Sequence, residues 1–256
     1  MLPEDQRDRL DVVLVSPRNP LNIGAAARAM ANFGFSRLTV VAPYAPHWRE
    51  ARSAIGAPEL LQNAKETASL AEAVADGTLV AGTGTLTYRK PEQPVVSLPG
   101  LAPVVRRELV RGGRVVLVFG PEKHGLTRED LSYCHFLVEI PTDPRQPSMN
   151  LGQAVAVCLY ELASRAFLSQ ASAPEIGTAQ AADKAEERSL AASSGDLELL
   201  AGVVEEAMLA ADYSPSSMRA ANRRDLRLLL RRLAPTKRDT RRILGLFRRI
   251  LWRLKH

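Results

Sequence analysis

Along the first 140 residues, short apolar runs alternate with segments whose apolar residues recur at helical spacing. The runs lie at Asp11–Ser16, Leu38–Ala42, Leu79–Thr83, Val115–Phe119 and Phe136–Ile140, and each is rich in β-branched or large apolar residues. Runs of this length predict strands, and their alternation with helical patterns predicts an α/β fold around a mostly parallel sheet. Between the first two runs, Ile23, Ala26, Ala27, Met30 and Phe33 share one face of an expected helix over Asn22–Phe33. A second helical pattern runs from Leu151 to Leu168 through Val155, Cys158, Leu159 and Leu162.

Beyond Leu168 the pattern changes. Residues 169–195 are rich in Ala, Ser, Glu and Gln and have no amphipathic period, which reads as a linker. Three helices are expected after it. The first covers Asp196–Ala211, the second starts at Pro215 behind a Ser214 cap, and the third follows Thr236. The third carries Ile243, Phe247, Ile250 and Leu254 along one stripe, flanked by arginines. The expected organisation is therefore a body over 1–168, a linker over 169–195 and a small all-helical extension over 196–256.

Charge sharpens that division. The net charge of +6 is unevenly spread. Arg219 to Lys255 holds 14 Lys and Arg against two acids, Asp225 and Asp239, so this stretch carries +12 and the remainder −6. A solvated helix surface explains a single charge run; an excess this large and this unmixed points to a polyanionic partner, nucleic acid. Arg223, Arg224, Arg231, Arg241 and Arg248 are the expected nucleic-acid contacts in it.

Several classes are disfavoured. No apolar stretch is long enough to cross a bilayer, and the charged start lacks the apolar segment of a secretory signal, so the expected location is the cytoplasm. Cys134, Cys158 and the four histidines show no metal-ligand or disulfide spacing, so no metal is expected, and Cys158 reads as a core residue. The dinucleotide fingerprint G-x-G-x-x-G is missing after the first strand, which argues against a nicotinamide or flavin enzyme.

Three segments sit where an open α/β sheet collects ligands, after the carboxyl ends of strands. Pro17–Arg28 offers Asn22 as a helix cap, Gly24 for close backbone approach, and Arg28 one turn beyond Gly24. Read on its own, it is equally a cap, a small-residue packing face and a solvated arginine. Val118–Thr127 places Gly120 and Gly125 in a loop that also carries Glu122; its order is not that of a Walker loop. Thr127 to Asp130 is expected to be a helix capping box with a structural role. Ile140–Val155 is a loop stiffened by three prolines and ending in Ser148 and Asn150, both natural caps. Ala81–Thr85 ends a strand and by itself is a turn.

Taken in order, these segments resemble the SPOUT superfamily of knotted RNA methyltransferases, in its TrmH-like branch. Its first motif, an Asn-x-Gly helix start leading to Arg, is matched by Asn22-Ile23-Gly24 and Arg28. The second is matched by Phe119–Leu126, and the third, a proline loop followed by Ser-Leu-Asn, by Ser148-Met149-Asn150. The resemblance covers roughly residues 10 to 168; Met149 for Leu, and Gly152 where a serine is common, are its departures.

The resemblance implies a trefoil knot holding the second and third motifs, and a homodimer with sites at the subunit interface. The face around Gly24–Met30 and the helix after Asn150 are expected interface material. It implies S-adenosylmethionine as cofactor, held by Thr83, Gly84, Thr85, Gly120, Ile140, Pro147, Ser148 and Met149. Arg28, Asn22, Glu122, Ser148 and Asn150 form the implied catalytic set. The basic tail further resembles enzymes that methylate the ribose 2′-oxygen of tRNA nucleotide 32, cytidine or uridine, in the anticodon loop. Another tRNA position or ribosomal RNA is the alternative substrate, and a non-catalytic RNA-binding protein would leave the three motifs unexplained. The family assigns Arg28 as base, but a guanidinium keeps its proton in water. Binding a phosphate or stabilising a developing alkoxide suits it better.

Overall fold

A computed structural model describes residues 2–84, 91–168, 190–213 and 215–256. Its centre is a seven-stranded sheet with helices on both faces. In chain order the main elements are β1 (Leu10–Val15), α1 (Pro20–Asn32), β2 (Arg37–Val41), β3 (Lys65–Thr67), β4 (Leu79–Thr83), β5 (Val95–Ser97) and α2 (Leu101–Val110). There follow β6 (Val115–Phe119), β7 (Phe136–Glu139), α3 (Leu151–Leu168), α4 (Ser194–Ala210), α5 (Arg219–Leu233) and α6 (Lys237–Lys255). The strand order is β3-β2-β1-β6-β4-β7-β5, and every pairing is parallel. The carboxyl ends of β1, β6, β4 and β7 therefore lie side by side.

All five expected strands form, with ends displaced by one residue at most. Two more were not expected. Lys65–Thr67 and Val95–Ser97 are three-residue edge strands, largely exposed, with no apolar run to reveal them.

Alternation along the strands divides the core in two. Leu10, Val12 and Leu14 of β1 face α1, α2 and α3, packing with Ile23, Met30, Leu101, Val105 and Val155. Val13 and Val15 face the other side, with Val116, Val118, Leu131 and Tyr133. The Ile23, Ala26, Ala27 and Met30 face is thereby buried within its own chain. The expectation that Gly24–Met30 forms an interface is corrected: that apolar face is spent on the core, and Leu21 and Tyr160 are the large apolar side chains that α1 and α3 expose.

Helices α1 and α3 lie side by side and parallel. Asn22 meets Asn150 at one end, and Phe33 meets Tyr160 edge-to-face at 6.0 Å at the other. Between them a Cβ on Gly152 would come 2.6 Å from that of Ala25, so the helices approach as closely as they do because position 152 has no side chain.

The C-terminal helices dock on the second face of the body. Residues assigned to the linker take part: the Ser194 and Gly195 amides donate to the Gly77 and Ala75 carbonyls, and Ser193 caps α4. A 3-10 turn at Ser216–Met218 precedes α5, which starts four residues later than expected; the proposed Ser214 cap and most of the linker lie outside the described residues. Thr236 caps α6 as expected.

Candidate active site

Asn19, not Asn22, caps α1. Its Oδ1 accepts from the Leu21 amide at 3.0 Å, and Pro20 occupies the first helical position. This corrects the assignment of Asn22 and releases it for another task. One turn into the helix, Asn22 Nδ2 donates to Glu122 Oε1 at 2.8 Å, while its Oδ1 accepts from Asn150 Nδ2 at 2.9 Å. Asn150 Oδ1 in turn accepts from the Gly152 amide at 3.0 Å, capping α3. A single polar chain thus runs Glu122–Asn22–Asn150 and joins all three motifs.

Glu122 is the anionic end of that chain. The Arg18 amide donates to its Oε2 at 3.1 Å, and the Asn19 amide to its Oε1 at 3.2 Å. Partial burial pushes the carboxyl pKa up, but the bonds from the Asn22 side chain and the Arg18 and Asn19 amides outweigh it. The net position is below the ordinary carboxylate value.

Beside this chain opens a cleft of about 190 Å³. Thr83 and Gly84 line it from the end of β4, Phe119–Gly125 from the β6 loop, and Ile140, Thr142, Pro147, Ser148 and Met149 from the proline loop. Leu151 and Ala154 of α3 complete its wall. The Thr83 hydroxyl donates to the Val118 carbonyl at 3.0 Å, tying β4 to β6, and Thr142 Oγ1 donates to the Pro147 carbonyl at 3.3 Å, closing the proline loop. At Gly120 a Cβ would stand 2.3 Å from the Leu126 amide nitrogen, because the loop folds back on itself there. Only glycine lets the loop pack that closely on itself at the cleft wall.

The structure therefore gathers Thr83, Gly84, Gly120, Ile140, Pro147, Ser148 and Met149 around one cleft, and Asn22, Glu122 and Asn150 into one chain at its rim. Thr85 lies outside the described residues. Arg28 stands apart: it is exposed, roughly 9 Å further along α1 than Asn22, and does not line the cleft. Sequence reasoning missed Arg18 and Asn19, whose amides hold Glu122; the Asn-Pro pair at 19 and 20 was the available signal.

The C-terminal arginines divide. Arg231 is 4% exposed; its Nε donates to the Tyr133 carbonyl at 2.9 Å and its guanidinium lies 3.6 Å from Glu198. Arg227 stacks 4.1 Å over the Tyr133 ring and pairs with Glu198 and Glu129, while Arg223 pairs with Glu205 and Glu198. Arg231 as an RNA contact is corrected: its charge is consumed inside the protein, and that of Arg223 largely so. Arg241 and Arg248 on α6 face solvent, and Arg224 is partly exposed.

A model of the SpoU rRNA Methylase family matches residues 9–160, which include all seven strands, both ends of the polar chain and the start of α3. The chain belongs to this family. The SpoU match agrees with the resemblance read from the motifs, and ends before α4. Among similar proteins, the tRNA (cytidine/uridine/adenosine-2′-O-)-methyltransferase TrmJ of Pseudomonas aeruginosa is 42% identical over 156 residues, 60% of each chain. The match thus spans three fifths of that relative. The tRNA (cytidine/uridine-2′-O-)-methyltransferase TrmJ of Cronobacter sakazakii is 30% identical over 236 residues, 92% of this chain and 93% of the relative. The crystal structure of TrmJ from Z. mobilis superposes with a TM-score of 0.77 at 29% identity, covering 94% of this chain and 98% of that one.

Proposed function

We propose that this SpoU protein transfers a methyl group from S-adenosylmethionine to the ribose 2′-hydroxyl of tRNA, at nucleotide 32, cytidine or uridine, of the anticodon loop. The observation that carries the reading is the meeting of two features at Glu122: a ligand cleft and a polar chain linking three motifs. Relatives similar over 60% and 92% of the chain are named as tRNA 2′-O-methyltransferases, and α6 presents an array of outward cations.

The cleft suits the cofactor. Its walls are apolar at Phe119, Ile140, Met149 and Leu151 and are main chain at Gly84 and Gly120, which fits a flat heterocycle edged by hydrogen-bonding groups. S-adenosylmethionine supplies an electrophilic methyl carbon for in-line displacement. The protein's task is then positioning and electrostatics. Gly120 lets the β6 loop fold tightly into the cleft wall; Glu122 fixes the β1 loop and Asn22; Asn150 fixes the start of α3. Arg28 acts as a permanent cation that binds the phosphate or the developing alkoxide rather than as a base.

Arg28 stands away from the cleft of its own chain, which supports a homodimer in which a second copy completes each site. Leu21 and Tyr160, 54% and 58% exposed, are apolar surface on the two helices that frame the polar chain. Threading of the β6 and proline loops as a trefoil knot, an RNA-gripping role for α4–α6 and a cytoplasmic location complete the proposal.

The deciding experiment incubates the protein with labelled S-adenosylmethionine and tRNA and maps 2′-O-methyl groups by mass. Methylation of nucleotide 32 is expected. Methylation elsewhere or of ribosomal RNA overturns the position, and no transfer overturns the enzyme. Arg28→Ala is expected to keep cofactor affinity by calorimetry while losing transfer by about 100-fold or more.

A further inference from the structure

The loops after β1 and β2 cross beside the cleft. Ser16 and Ala42 end their strands with φ of 44° and 42°, the Ser16 amide donates to the Val41 carbonyl at 2.8 Å, and the Tyr44 amide donates to the Pro17 carbonyl at 3.2 Å. This bracing brings the Arg18 guanidinium 5.5 Å from the centroid of the Tyr44 ring. Tyr44 nonetheless remains 77% exposed. A lone exposed aromatic needs no explanation. This one differs because its cation sits on a backbone pinned to the site: the Arg18 and Asn19 amides bind the Glu122 carboxylate, the group where cleft and polar chain meet. Among the described residues, no carboxylate pairs with the Arg18 guanidinium. The molecule's other arginine–aromatic pair near this end of the sheet, Arg49 on Trp48, is built differently: Trp48 is fully buried and both side chains bond Glu66.

We propose that Tyr44 and Arg18 form a stacking subsite for an unpaired nucleobase next to the nucleotide that enters the cleft. The inference rests on the RNA reading above and deepens it. Unpaired bases are recognised by stacking on aromatic rings and guanidinium planes, and such stacking tolerates any base. A ring on a braced loop loses little freedom when a base covers it, and Arg18 adds a cation where the flanking phosphate passes. The subsite thereby fixes how deeply the loop enters, with no contact to the target base itself.

The test is steady-state methylation of tRNA by the full chain carrying Tyr44→Ala, Tyr44→Phe or Arg18→Ala, with S-adenosylmethionine affinity measured in parallel. Tyr44→Ala is expected to raise the KM for tRNA about tenfold with kcat and cofactor affinity kept, Tyr44→Phe to restore wild-type KM, and Arg18→Ala to raise KM severalfold. A wild-type KM in Tyr44→Ala, with tRNA still methylated, overturns the subsite alone. A loss in Tyr44→Phe equal to that in Tyr44→Ala also overturns it, since the ring would not be the recognising group. Failure of the unaltered protein to methylate any RNA overturns the functional reading and the subsite with it.

Discussion

Asn22 and Asn150 lie 128 residues apart in the chain and are joined by one hydrogen bond of 2.9 Å at the parallel starts of α1 and α3. Each amide is engaged in one direction: Asn22 donates its N–H to Glu122, and the Asn150 oxygen accepts from the Gly152 and Gln153 amides of α3. Reversing either amide would oppose donor to donor or acceptor to acceptor, so the chain has one polarity, set by the carboxylate.

Substituting Asn22→Asp tests that polarity. It replaces the donor facing Glu122 with a second carboxylate, and is expected to lower stability by about 1 kcal/mol and activity by more than tenfold. Denaturant titration and methyl transfer measure the two. Because the Glu122 pKa is lowered, the chain's contribution is complete above the ordinary carboxylate range and is lost only as pH falls through the lowered value. The unaltered protein should therefore keep the bond network at mildly acidic pH.

Arg231 and Arg241 should behave oppositely despite equal charge. Arg231→Met removes a buried cation from Glu198 and Tyr133, and is expected to cost about 2–4 kcal/mol with no change in the salt dependence of tRNA binding. Arg241→Ala should leave stability within about 0.5 kcal/mol and reduce the log–log salt slope by about one. Urea midpoints and binding titrations across salt concentrations separate them.

Gly120→Ala is expected to abolish S-adenosylmethionine binding in calorimetry and to destabilise by about 2–4 kcal/mol. The added carbon would meet backbone of Gly125 and Leu126, which cannot rotate away.

His135 should give the fold an acid-sensitive arm. Burial, reinforced by the Arg231 cation, pushes its pKa down to about 3, and its Nδ1 accepts from the Val80 amide at 3.0 Å. The unfolded chain takes up a proton below about pH 6.5 that the fold refuses, so stability is lost as pH falls from there towards 3. Between pH 7.5 and 5 the loss from this group is about 1–2 kcal/mol. His135→Asn, which keeps an acceptor without a titrating ring, should flatten the fall in denaturant midpoint over that interval.

Much of this was legible in sequence where an apolar run or a motif fixed the answer. The five central strands, the extent of α4 and the start of α6 after Thr236 depend on local pattern, and the sequence places them within a few residues. Lys65–Thr67 and Val95–Ser97 were illegible because edge strands three residues long are held by pairing to a neighbour, not by their own apolarity. Asn22 was misread as a cap because a cap is recognised by type, whereas Pro20 decides where α1 begins. The division among arginines carried a faint signal: Arg223, Arg227 and Arg231 repeat at four-residue spacing beside Leu226 and Leu230, the signature of an inward helical face. Their acidic partners on α4, Glu198 and Glu205, repeat at seven and lie on a single face as well. A count of cations registers none of this.

The strand order has a consequence for biosynthesis. The middle of the sheet joins β1 to β6, so the first strand made waits for the sixth before its inner edge is filled. Glu122, Asn22 and Asn150 wait longer still, until α3 has begun. A chain emerging from the ribosome can thus join Glu122 to Asn22 only after β6 is made, and a chain released just before residue 152 holds all seven strands but lacks the α3 start that completes the polar chain. Topology of this kind makes folding slow and the arrival of function abrupt.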